Sequence, residues 1–76
     1  MQEEFKPYYK MMGLKIAYYR KLCGLTQEKL AERMDVDTSF IGQIEAPNID
    51  KAISIDTLFR ISQVLDVPAY KFLKFD

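Results

Sequence analysis

The stretch LTQEKLAERMDVDTSFIGQIE, Leu25 to Glu45, holds two short amphipathic segments on either side of a break. Thr26 suits the position just before a helix, where its side-chain oxygen can accept a hydrogen bond from a first-turn N–H. Glu28 then lies in a first turn that favours negative charge, and Leu30, Ala31 and Met34 share one face. The residues MDVD interrupt this helix, and Asp37 stands where it can cap the next. In that third helix, about residues 37–46, Ile41 and Ile44 point inward at three-residue spacing, and Pro47 ends the run. Thr38, Ser39, Gly42, Gln43 and Ala46 fall on the opposite stripe. Such a stripe of small uncharged groups and one amide is a surface for another molecule to read.

Working outward, Met12, Ile16, Tyr19 and Cys23 recur at four, three and four residues, which predicts a first helix over Tyr9 to Cys23 with Lys15, Arg20 and Lys21 off its buried seam. Gly24 supplies the stop. After the loop PNIDKAI, Ser54 caps IDTLFRISQVL, whose Ile55, Leu58, Ile61 and Leu65 predict the buried face of a fourth helix. Pro68 suits the first position of a last helix, PAYKFLKF, with Phe72 and Leu73 closing the core. No strand pattern, repeat or low-complexity segment is visible, so the expectation is an all-α chain of five helices.

Seventy-six residues make one small domain with a modest core, and a second copy would help to cover its apolar surface. The 49% hydrophobic and 29% charged content is that of a folding globular chain. One cysteine cannot make an internal disulfide, and no run approaches the roughly 18 apolar residues of a membrane span. The N-terminal MQEEFKPYYKMMG lacks the basic-then-apolar order of a secretory signal, so the expected location is the cytoplasm. With no histidine, one cysteine, and neither a Gly-rich phosphate loop nor a nucleophile elbow, the parts of an enzyme or metal site are missing. No cofactor is expected, and no ligand-sensing domain fits in the remaining length. Net charge is zero, but residues 1–33 carry seven basic and four acidic side chains, and residues 34–76 carry four and seven. The front half is the cationic one, where nucleic-acid phosphates would be held.

The ordered features in GLTQEKLAERMDVDTSFIGQIE and SIDTLFRISQVLDVP resemble the Xre/Cro-type, lambda-repressor-like helix-turn-helix DNA-binding family. The resemblance covers roughly residues 12–74 of a single domain, 1–76, leaving residues 1–10 as an N-terminal extension. It implies a compact five-helix fold in which helix 2 braces against the DNA backbone while helix 3 offers its outward stripe to base edges in a major groove about 12 Å wide. Carried over residue by residue, it makes Gln27, Thr38, Ser39 and Gln43 the base-contact candidates. Gln43 has the two atoms to pair with an adenine. Thr26, Lys21, Lys29 and Lys51 are the phosphate candidates; Lys15 and Arg33, and the first-turn amides of helices 2 and 3, could add to them. The resemblance further implies a buried structural ion pair between Arg20 and Glu45. The expected function is sequence-specific binding of double-stranded DNA by a homodimer that regulates transcription, with Tyr70 to Phe75 as the dimer contact.

Several positions keep two readings. Gln27, Thr38 and Ser39 are equally ordinary first-turn residues. Gly42 costs its helix about 1 kcal/mol against alanine, which either close approach to a partner or the core must offset. Tyr8, Tyr9 and Phe5 fit a lid on the bundle or a self-association surface. The loop after Glu45, APNIDKAI, has no glycine, is about two residues longer than in relatives, and sets Lys51 beside Asp50. Helix 3 has no Lys or Arg, and Asp35, Asp37, Glu45 and Asp50 surround it. These acidic neighbours motivate the alternative, the same fold serving as a protein-interaction or oligomerisation module with weak or no DNA binding.

Overall fold

The apolar spacings are realised as four α-helices in the computed structural model, which describes residues 2–76. They are α1 (Lys6–Leu22), α2 (Gln27–Met34), α3 (Thr38–Glu45) and α4 (Ile55–Leu65), with 3-10 turns at Glu3–Phe5 and Ala69–Phe72. No strand occurs among the described residues. Met12 and Ile16 of α1, Leu30, Ala31 and Met34 of α2, Ile41 and Ile44 of α3, and Leu58, Ile61 and Leu65 of α4 form one core with Ile53 and Phe72.

Capping chemistry sets the helix starts. The Thr26 hydroxyl accepts from Lys29 N–H at 3.0 Å and the Ser54 hydroxyl from Thr57 N–H at 3.1 Å. Asp37 occupies the capping position of α3 but its side chain makes no cap hydrogen bond. Ile53, just before the Ser54 cap, and Leu58, the fourth helical residue, occupy the two positions of a hydrophobic staple, and both are buried. Leu25 and Leu30 stand in the same relation on α2. This device explains a departure from the sequence expectation: Ile55 is 55% exposed while Ile53 is only 7% exposed. Ile55 is the first helical residue and sits about a quarter turn off the Leu58, Ile61, Leu65 row. The staple residue outside the helix takes its place.

The chain ends also depart from expectation. Helix α1 begins at Lys6 rather than Tyr9, because Pro7 in the first turn has a fixed φ suited to a helix start and no N–H to leave unpaired. Residues 6–10 thus continue α1. Cys23 is exposed beyond the last turn, its thiol 3.4 Å from the Leu65 carbonyl. The expected last helix is a single 3-10 turn, with Pro68 as its cap. Phe72 and Phe75, three residues apart, turn inward, and Leu73 is exposed. Phe72 is fully buried, edge-on to Tyr19 at 5.4 Å, and Phe75 stacks on Tyr8 at 5.7 Å. Of the segment Tyr70 to Phe75, only Tyr70 and Leu73 remain as large exposed apolar groups.

The ends of α2 and α4 share one motif. Asp35 and Asp66 adopt the left-handed conformation, with φ of 57° and 54°. Val36 N–H returns to Ala31 O at 3.0 Å and Val67 N–H to Ser62 O at 3.1 Å. Gly24 does the same after α1 with φ 73°. Aspartate tolerates this conformation less well than glycine. We therefore expect Asp35→Gly and Asp66→Gly each to stabilise by about 0.5 kcal/mol, together raising Tm by about 4–8 °C. A thermal melt of the double variant at or below wild type would contradict this.

Candidate nucleic-acid interface

Helix α3 is held by an ion pair at its last residue. Arg20 on α1 donates from Nε to Glu45 Oε2 at 2.7 Å and from Nη2 to Glu45 Oε1 at 2.9 Å, and both residues are more than nine-tenths buried. The third nitrogen, Nη1, donates to the Leu25 carbonyl at 2.7 Å in the turn before α2. One guanidinium thus ties α1, the α1–α2 turn and α3 together, the planar fork that arginine alone provides. Hydrogen bonding to Glu45, outweighing the opposing effect of burial, raises the Arg20 pKa, so the charge persists at any ordinary pH.

Gln27 joins the same assembly. Its Nε2 donates to Glu45 Oε1 at 3.0 Å, and its Oε1 lies against Gly42, 3.7 Å from where a Cβ would stand. The side chain is therefore held at both ends, one amide N–H committed to Glu45 and the oxygen set beside Gly42 on α3. An added Cβ at Gly42 would meet the Gln27 oxygen at ordinary van der Waals distance, so this crossing does not by itself require glycine.

Thr38, Ser39 and Gln43 are all exposed on α3, while Ile41, Ile44 and Glu45 face the core. The outward stripe carries no charge. Of the lysines expected at phosphates, Lys21 is exposed, Lys29 lies 3.6 Å from Glu32, and the Lys51 ammonium sits 5.4 Å from the Phe40 ring centre. Thr26 uses its oxygen as the α2 cap and keeps its hydroxyl proton to donate. Lys15 lines a groove with Met11, Leu14 and Tyr18 on the far side of α1, away from this face.

Asp50, the sequence neighbour set against Lys51, is paired instead with Lys6 at 3.1 Å, and the same ammonium reaches Glu3 at 2.7 Å. Hydrogen bonds to Glu3 and Asp50 raise the Lys6 pKa. Sequence reasoning missed Lys6 because the 44-residue separation leaves no local signal. It also missed Gly13, whose Cα faces the Ile44 carbonyl so closely that an added Cβ would collide with it. A glycine inside a helical run is the one hint the sequence offered. Asp35 and Asp37 stay exposed at the entry to α3. Among the described residues no cluster of metal-ligating side chains occurs, and no helix is long and apolar enough to cross a membrane.

A family model described as helix-turn-helix matches residues 16–72. The chain is 38% identical over 63 residues to the HTH-type transcriptional regulator SinR of Bacillus subtilis strain 168 and, at the same level, to SinR of Bacillus licheniformis. These alignments take in 83% of this chain and 56% of each relative, so the chain spans little more than half the length of the relatives it matches. Among solved structures, SinR, the master regulator for biofilm formation, in complex with DNA superimposes with a TM-score of 0.75 at 36% identity, over 83% of this chain and 98% of that one. The restriction-modification controller protein C.AhdI of Aeromonas hydrophila has a TM-score of 0.76 at 23% identity, over 84% of this chain and 94% of its own. At that identity the likeness is one of fold.

Proposed function

The chain belongs to the Xre-type, lambda-repressor-like helix-turn-helix family, and from that premise we propose that it is a transcriptional regulator that binds double-stranded DNA in a sequence-specific manner. The observation that carries this reading is the uncharged stripe of Thr38, Ser39 and Gln43, displayed on a helix whose end is fixed by the buried Arg20–Glu45 fork. Helix α3 enters the major groove, where Gln43 pairs with a base edge and Thr38 and Ser39 reach bases or phosphate. Gln27 contributes its oxygen and its second amide N–H, since one N–H donates to Glu45. Thr26, Lys21, Lys29 and Lys51 are assigned to phosphates, together with the first-turn N–H groups of α2. On this reading the protein is a cytoplasmic homodimer without enzymatic activity, with Tyr70 and Leu73 as the exposed remainder of its two-fold contact. One α3 reads only a few base pairs, and a two-fold pair doubles the site.

The test is selection from a pool of random-sequence duplexes, followed by a salt titration on the enriched site and the mass of the complex. The expected product is a two-fold symmetric site with half-sites about 10 base pairs apart. Gln43→Ala is expected to weaken binding to it by about 1–3 kcal/mol and to relax the preference at one base pair. Lys21→Ala should weaken all duplexes alike and lower the salt slope by about one. A folded protein that binds no duplex at low salt would overturn the proposal. The exposed Asp35 and Asp37 would then favour the fold's use as a protein-interaction module.

A further inference from the structure

Helix α1 has a second face that the proposed function leaves unused. Gly13 and Arg20 meet α3, and Met12 and Ile16 enter the core. At 100° per residue, Met11, Leu14, Tyr18 and Leu22 share an arc of about 80° on the side of α1 opposite Ile16. That side should be polar on a solvated helix. Instead Leu14 is 53% exposed, Tyr18 58% and Leu22 65%. Three large apolar groups in line are a contiguous patch, not scattered surface residues. Beside them runs a groove of about 330 Å³, walled by Met11, Leu14, Tyr18, Tyr19 and Phe75. The Tyr18 ring stands edge-on to Tyr19 at 5.0 Å, which sets the height of one wall.

The charges around the stripe are one-sided. Helix α1 contains five basic residues and no acidic one. Arg20 is buried against Glu45, and Lys6 is paired with Glu3 and Asp50. Lys10, Lys15 and Lys21 remain, flanking the apolar line on both sides, and none has an ion-pair partner among the described residues. Asp76 is the one carboxylate among the groove's residues. A second copy pairing through this face by a two-fold axis would set lysine rows against lysine rows, because such an interface brings the same patch to itself. Like charges so placed are unfavourable.

We propose that the outer face of α1 is a docking site for an amphipathic helix of another protein, one whose apolar line is flanked by Asp and Glu. The apolar line fills the groove beside Tyr18, and the acidic flanks meet Lys10 on one side and Lys15 on the other, with Lys21 left to the duplex. Met11 to Leu22 extends about 17 Å, so three turns of the partner are enough to cover it. This is the helix-in-groove mode of recognition, with anchors at three- and four-residue spacing. The site faces away from the α3 stripe, so the partner and a duplex can be held together. The protein becomes an adaptor as well as a reader.

Two fluorescent helical peptides of about 18 residues, five turns, provide the probe: both carry leucine at the first and fourth positions of each heptad, one with glutamate flanks and one with lysine flanks. Anisotropy titration of the whole chain should show binding of the glutamate peptide and not of the lysine peptide. Leu14→Asp or Tyr18→Asp should weaken it about tenfold each. The double variant Lys10→Glu with Lys15→Glu should reverse the preference toward the lysine peptide, a gain that unfolding cannot imitate. Added mixed-sequence duplex should leave peptide binding unchanged. Failure to bind either peptide, or equal binding of both, overturns the proposal. So does a dimer in sedimentation that Tyr18→Asp converts to monomer, which would make a second copy the occupant. Stronger binding to phosphatidylcholine vesicles containing phosphatidylserine than to the glutamate peptide would equally overturn it, as the face would then be a membrane contact. None of these outcomes bears on whether α3 reads DNA.

Discussion

Arg20→Ala is expected to destabilise the protein by about 3–5 kcal/mol, because it leaves the Glu45 carboxylate buried without its fork and the Leu25 carbonyl without its donor. A small domain has only about 5–15 kcal/mol in total. The variant should therefore melt at least about 12 °C below wild type, or be unfolded at 37 °C. Replacing both partners, as Arg20→Met with Glu45→Leu, should recover much of the loss, since no buried charge is then left unpaired. The double variant separates stability from function. It folds, but Gln27 loses the acceptor that fixes its rotamer, so duplex affinity should stay below wild type while the melt approaches it. Thermal melts and duplex titrations on both variants decide the matter. A single variant that melts like wild type would mean that the fork contributes nothing.

That long-range tie illustrates what the sequence made legible. Thr26 and Ser54 could be read as caps because a cap is a local matter of one side chain and an N–H three residues on. The buried faces of α2 and α3 followed from spacing alone, and the outward stripe of Thr38, Ser39 and Gln43 followed from the same count. The pairing of Arg20 with Glu45 lay beyond spacing, 25 residues apart, and entered through family resemblance. The ends were read poorly for a different reason. Whether Ile53 or Ile55 is buried turns on one residue of frame at a helix start. The last segment forms a 3-10 turn rather than an α-helix where the chain folds back over α1, and no local preference announces that change. The link from Lys6 to Asp50 joins chain segments that only the folded bundle brings together.

Gly13 is the sharpest case, and its substitution has the second large expected effect. Helix propensity alone says that Gly13→Ala should stabilise α1 by about 1 kcal/mol, as for any exposed helical glycine. The packing says the opposite. A methyl at this position would overlap the Ile44 carbonyl oxygen and stand 3.2 Å from the carbonyl carbon and 3.5 Å from Glu45 Cα, all backbone atoms that no rotamer change can move aside. Relief requires α1 and α3 to separate, and two turns along the same face of α1 lies the Arg20–Glu45 fork with hydrogen bonds of 2.7 and 2.9 Å. Separation stretches that fork, so the steric cost is joined by partial loss of a buried ion pair. Overpacking typically costs about 1–3 kcal/mol, and with the fork strained the net loss for Gly13→Ala should reach about 2–4 kcal/mol even after the propensity gain. Gly13→Val should be worse, adding bulk and a branched Cβ. Because α3 carries the reading stripe, displacement there should also weaken duplex binding in whatever fraction remains folded. Chemical denaturation measures the first effect. A Gly13→Ala variant as stable as wild type would show that the bundle can open at this crossing without loss, and that Gly13 is an ordinary helical glycine.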